Sequence, residues 1–236
     1  MRRVRLAAGA LLVIGLIAVA VIVVRAPDPA DRAVPLPLPD DRPLRIAVFG
    51  TSLTHDEVWT HELKASLENR FDQGIRLDVV AKPGAGSAWA LEHVDQVLDL
   101  KPDWVLIEFA INDADIRDGL SVADARSTHE ALLNKLVESL PNAETVLMTM
   151  SPAQGLRGML RPRLAAHYRQ YRDLADQFDI GLVDLHARWL AIPRASRGLQ
   201  QDGLHPHPQV AANLIVPVLS RYLAQCAALA RTGARD

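Results

Sequence analysis

Residues 44–49, a mostly apolar run between Pro43 and Gly50, predict a buried strand, and residues 56–71 behind them predict a helix. The same pair of patterns recurs along the chain. Further strands are expected at 75–80, 104–109, 145–150 and 180–183, and further helices at 87–98, 122–140, 161–178 and 208–229. Within 122–140, Leu132, Leu133, Leu136, Val137 and Leu140 fall at helical spacing. The strand segments Ala47-Val-Phe, Leu77-Asp-Val-Val, Val105-Leu-Ile and Val146-Leu-Met scarcely alternate with polar residues. Strands buried on both faces, as in a parallel sheet covered by helices, have that pattern. Repeated strand–helix units predict a doubly wound α/β domain with a parallel five-stranded sheet, and in such sheets ligands bind at the carboxyl ends of the strands.

The first 43 residues follow a different pattern. Arg2, Arg3 and Arg5 precede residues 6–24, nineteen residues without a charge, and Arg25 follows them. A run of that length can cross a bilayer as a helix. The sequence Val24-Arg25-Ala26-Pro27 is a poor cleavage site, so an uncleaved signal-anchor over 1–26 is preferred to a cleaved signal peptide. Arginines ahead of the run put the N-terminus in the cytoplasm and the rest of the chain outside. Residues 27–43 hold six prolines and read as an extended spacer that keeps a domain, residues 44–236, off the membrane.

Setting aside the four arginines that flank the apolar run leaves 22 basic against 28 acidic residues, a balance of −6. That charge argues against nucleic acid or an anionic surface as the main partner. With Cys226 alone, no disulfide can form within the chain, and stability has to come from a core.

Four stretches at the strand ends carry polar chemistry. Gly50-Thr51-Ser52-Leu53 follows the first strand, and Pro83-Gly84-Ala85-Gly86-Ser87 lies beyond the second. Ala110-Ile111-Asn112-Asp113 follows the third, and Asp202-Gly203-Leu204-His205-Pro206 precedes the last helix. Each has an ordinary structural use. Ser52 reads as a helix cap, Gly84 and Gly86 as turn residues, Asn112-Asp113 as a capped turn and Asp202-Gly203 as a turn ahead of a helix. Together they supply a hydroxyl, an imidazole to take its proton, a carboxylate to orient the imidazole, and donors for an oxyanion, the set that acyl transfer through serine requires. His205-x-His207 has no further ligand at metal spacing, so neither metal nor cofactor is expected. Asp113 and Asp115 read as a solvated loop, residues 157–163 as a solvated helix start, and His186 and Trp189 as packing residues.

These four blocks, in this order, resemble those of the SGNH, or GDSL-like, hydrolase family, over essentially all of 44–236. Thr51 stands where the family often has Asp, and Ala110 where it usually has Gly. The resemblance implies a flavodoxin-like three-layer α/β/α fold and esterase or acyl-hydrolase activity. It implies Ser52, Asp202 and His205 as the catalytic residues, and Ser52, Gly84 and Asn112 as the oxyanion hole, with Gly86 the fallback for Gly84. The substrate expected on this basis is a small ester or an O-acylated carbohydrate of the cell envelope, with acetyl the favoured acyl group. An O-acyltransferase using the same acyl-enzyme and a non-catalytic carbohydrate-binding module are the alternatives.

Overall fold

The computed structural model describes residues 27–118 and 120–233. The expected membrane anchor, residues 1–26, lies outside the described residues. Strand β1 (Leu44–Gly50) leads into helix α1 (Val58–Glu68), β2 (Ile75–Ala81) into α2 (Ser87–Leu100), and β3 (Trp104–Glu108) into the one-turn α3 (Ala110–Asp113) and then α4 (Val122–Ser139). Strand β4 (Glu144–Thr149) is followed by the short α5 (Gly155–Met159) and by α6 (Leu164–Phe178), and β5 (Gly181–Asp184) by α7 (Leu185–Ala191). Helix α8 (Pro208–Gly233) comes last. Each strand and helix read from the apolar pattern is present, and α3, α5 and α7 are additions to it.

The five strands form one parallel sheet in the order β2-β1-β3-β4-β5. Helices α1 and α8 pack on each other over one face, while α2, α4 and α6 form the layer on the other. Between β1 and β3 the connections leave in opposite directions, which opens a crevice at the carboxyl edge. Ser52 follows β1 and Asn112 follows β3, so the two flank that crevice. Strands β1 and β3 are almost wholly buried, as their continuous apolar runs require. Phe49 meets Phe109 edge-on at 4.9 Å beneath α2, and Trp104 stacks on Tyr222 of α8 at 6.1 Å. Among the described residues, one helix, Pro208–Thr232, is long and apolar enough to cross a membrane. It belongs to α8, where Ala212, Ile215, Leu219, Leu223 and Cys226 are buried at helical spacing against the domain.

The middle of the proline-rich segment, read from the sequence as an extended spacer, packs on the domain. Arg32 forms an antiparallel bridge with Leu182 on the open edge of β5, exchanging backbone hydrogen bonds of 2.9 and 3.0 Å. Arg32 also ion-pairs with Asp179, and Asp31 accepts from the Asp184 amide and pairs with Arg188. Val34 and Leu36 are buried, and the Leu36 amide donates to the Cys226 carbonyl. Proline favours extension but does not say what the extended chain lies against; alternate apolar residues at 34, 36 and 38 supply the docking side. The segment also covers an edge that would otherwise expose unpaired backbone. Leu36→Ala should therefore lower unfolding free energy by about 2–4 kcal/mol in urea titration, whereas a side chain in a free spacer would leave it unchanged.

Candidate active site

Ser52 sits in the turn between β1 and α1, with its Oγ 2.8 Å from Nε2 of His205. The His205 Nδ1 lies 2.5 Å from Oδ2 of Asp202. Because Asp202 accepts from Nδ1–H, Nε2 is left free to accept the serine proton. The other Asp202 oxygen accepts from the backbone amides of Leu204 and His205 at 3.0 and 3.1 Å. Residues 202–205 thus form a compact turn in which one carboxylate holds both the loop and the ring. Burial pushes the Asp202 carboxyl up, but the amides and the imidazole outweigh it and hold the group below the usual carboxylate value. The turn is fastened to the segment after β4: the Gln154 amide donates to Gly203 O at 2.7 Å, and the Ser151 hydroxyl to Leu204 O at 3.2 Å.

Asn112 is held from two sides. Its Nδ2 donates to Ala85 O at 2.9 Å, and its Oδ1 accepts from the buried Arg161 at 3.3 Å. The arginine fixes which end of the amide is oxygen, and the second N–H of Nδ2 remains for a ligand. Arg161 also donates to Ile111 O at 2.8 Å and pairs with Asp115 at 3.1 Å; Asp115 is itself held well below the usual range, at about 2, chiefly by Arg117. Asp113 and Asp115 are therefore buried anchors and not a solvated loop, and Arg161 lies beneath the site. Tyr171 accepts from the amides of Phe109 and Ala110 at 2.9 and 3.0 Å, fixing the start of α3 from the α6 side.

Gly84 and Gly86 separate clearly. Gly84 has a φ of +76°, a conformation that favours glycine, and lines the same cavity of about 490 Å³ as Ser52, Asn112 and His205. Gly86 faces Asp113, whose Oδ1 would lie 2.5 Å from an added Cβ and instead accepts from the Ser87 amide at 2.8 Å. Gly86 is thus a packing glycine. Pro83, Asp118, Arg117, Arg157 and Leu204 complete much of the cavity wall. Among the described residues, no group of three His, Cys, Asp or Glu side chains is placed to hold a metal ion.

One participant escaped the motif reading. Glu108, the last residue of β3, is buried under the Ser52 turn. It accepts from the Thr51 amide at 2.6 Å, from the Thr51 hydroxyl at 3.0 Å and from the Thr54 hydroxyl at 2.8 Å. A Cβ on Gly50 would lie 2.4 Å from Glu108 Oε1, which explains glycine at that point. The signal in the sequence was a lone acid ending an otherwise apolar strand. Burial raises the Glu108 carboxyl from its ordinary 4.5 to about 7, against the pull of its donors. The folded state then holds a proton that the unfolded state has lost, so this group's stabilising effect is greatest below pH 4.5 and fades as pH rises through about 7. Glu144, also raised to about 7 by burial, works in the same direction. Buried His129, His167 and His186, held below their ordinary value by burial, work in the opposite direction over the same range, so the test is the difference: between pH 5 and 8 the wild type should lose roughly 1–3 kcal/mol more stability than Glu108→Gln, as read by urea denaturation of both proteins at each pH.

Comparison with known proteins gives the arrangement its context. The chain matches the GDSL-like lipase/acylhydrolase family over residues 48–212, a span that holds Ser52, Gly84, Asn112, Asp202 and His205. No curated protein matches the chain. Among solved structures it is similar to the lipase/acylhydrolase from Enterococcus faecalis, with a TM-score of 0.66 and 23% identity over 77% of this chain and 96% of that one. The psychrotrophic esterase EstA from Pseudoalteromonas sp. aligns with a TM-score of 0.62 and 24% identity over 77% and 97%. Axe2, an acetylxylan esterase from Geobacillus stearothermophilus, aligns with a TM-score of 0.60 and 18% identity over 79% and 94%. At these identities the neighbours establish a shared fold. With a family match covering more than half of its length, the chain belongs to the GDSL-like lipase/acylhydrolase, or SGNH, family and is a carboxylic ester hydrolase.

Proposed function

We propose that this protein is a serine esterase that removes short acyl groups, acetyl above all, from carbohydrate esters outside the cytoplasmic membrane, working through an acyl-enzyme on Ser52. The observation that carries the reading is the relay of 2.8 Å and 2.5 Å that joins Ser52, His205 and Asp202. His205 takes the Ser52 proton as the oxygen attacks the acyl carbon, and gives it to the leaving alcohol. Water then enters, gives its proton to His205 and releases the acid. Asp202 keeps the ring in the productive tautomer and stabilises the imidazolium. The backbone N–H groups of Ser52 and Gly84 and the free Nδ2 hydrogen of Asn112 receive the oxyanion.

Two features favour a small acyl group on a polar substrate. Most of the residues that line the cavity are polar or charged, with Asp115, Asp118, Arg117, Arg157 and Arg161 beside Pro83 and Leu204. A shared fold with an acetylxylan esterase agrees with such a substrate by analogy. The uncharged run 6–24, seated as a signal-anchor, would hold the domain on the extracytoplasmic side.

Ser52→Ala should lower kcat on p-nitrophenyl acetate by roughly 10⁴-fold or more while leaving the circular dichroism spectrum and melting temperature intact; full activity in that variant overturns the assignment. Asp202→Asn should be milder than His205→Ala in the same assay. Asn112→Ala should cost about 10²–10³ in kcat with little change in KM. Arg161→Met should lower kcat in the same sense, because the Asn112 amide loses the partner that orients it; a change confined to KM would contradict that role.

A further inference from the structure

The carboxyl edge of the sheet differs from the rest of the surface. The three most exposed large apolar side chains among the described residues are Met159 at 75%, Leu156 at 70% and Ile116 at 57%. All three stand on the connections that leave β3 and β4 at that edge, and the Ile116 amide donates to Leu160 O at 2.9 Å, so they form one neighbourhood beside the cavity. Cations gather on the β4–β5 side of that edge, whereas its β1–β3 side carries the exposed Asp56 and Asp118. No acidic residue occurs between Glu144 and Asp173, or between Asp184 and Asp202, in a domain with an excess of acids. Those two stretches contain eight arginines, among them Arg157, Arg161, Arg163, Arg188, Arg194 and Arg197. Arg161 is buried and Arg188 is paired with Asp31, but Arg163 and Arg194 are exposed. The opposite edge mixes both signs, with Asp40, Asp41, Asp72, Asp103, Glu144 and Asp179 beside Arg42, Arg70 and Lys101.

The path of the N-terminal segment says what faces this edge. Arg32 pairs antiparallel with Leu182, and the Ala30 amide donates to Asp184, the last residue of β5. Traced backwards, the chain therefore leaves the domain at the carboxyl edge. Only residues 25–29 separate Ala30 from the uncharged run 6–24, a reach of at most about 20 Å. Two of those five residues are Pro27 and Pro29, whose fixed φ restricts that part of the link.

We propose that the carboxyl edge lies against the bilayer in which residues 6–24 are seated, with Ile116, Leu156 and Met159 entering the interfacial layer and Arg163 and Arg194 meeting anionic headgroups. Exposed apolar side chains with arginines nearby suit that boundary. The crevice that holds Ser52 then opens toward the membrane surface, and its substrate is an ester borne by a molecule held at that surface. The last clause rests on the esterase reading; the docking itself does not.

The test uses the full chain reconstituted in phosphatidylcholine–phosphatidylglycerol vesicles. Single cysteines are introduced as Met159→Cys at the carboxyl edge and Lys101→Cys at the opposite edge, and each is labelled with an environment-sensitive fluorophore. Cys226 is fully buried and its thiol is pushed up to about 11 by that burial, so it does not compete. Lipids carrying a headgroup nitroxide should quench the label at 159 severalfold more than the label at 101. Equal quenching at the two positions, including none at either, overturns the proposal. In the same vesicles, Leu156→Glu combined with Met159→Glu should slow hydrolysis of an acetyl ester on a lipid-tethered fluorogenic alcohol roughly tenfold, with p-nitrophenyl acetate turnover unchanged. An equal effect on both esters overturns the link between docking and substrate. Asymmetric quenching in a protein inactive on every ester would support docking and overturn the esterase reading instead.

Discussion

A carboxylate shut away from water must be supplied with hydrogen bonds, and here Glu108 obtains them from the turn that carries Ser52. That requirement ties the end of β3 to the end of β1 across the point where the sheet's connections part. Gly50 leaves the room that the carboxylate occupies, Thr51 supplies an amide and a hydroxyl, and Thr54 supplies a second hydroxyl. Thr51 takes the place of the Asp common in the family, so a neutral donor, and not a second carboxylate, faces the buried acid. Tyr171 performs the matching task on the other side, capping the amides of Phe109 and Ala110. The Ser52 turn and the Asn112 turn are thereby held from beneath, independently of any ligand.

The same logic extends outward. Asn112 is oriented by Arg161, Arg161 is balanced by Asp115, and Asp115 is shared with Arg117 at the mouth of the cavity. On the facing side, Asp202 folds its own turn around His205 and is fastened to the segment after β4. Reactive groups from widely separated parts of the chain therefore meet with their donors and acceptors already assigned, which is what preorganisation of an oxyanion site demands.

Much of this was readable in the residues, for identifiable reasons. The strands announced themselves because a sheet covered on both faces needs uninterrupted apolar runs, and the four polar blocks stood out because each follows such a run or precedes a helix. Other features depend on partners distant in sequence. Asp115 and Arg161 look like solvated charges until the fold brings them to 3.1 Å across 46 positions of chain. Helices α3, α5 and α7, of four, five and seven residues, are too short for a clear periodic signal. The docking of residues 30–36 was hidden because proline reports extension and not contact, although the alternation of Val34, Leu36 and Leu38 was present.

The central claim is that Ser52 is a nucleophile activated by His205. A fluorophosphonate probe reports that property directly, since it phosphonylates only an activated serine, and peptide mass spectrometry locates the adduct. The account predicts one adduct, on the peptide that contains Ser52, formed by the wild-type chain and lost in His205→Ala. No adduct, or an adduct on another serine, would contradict it.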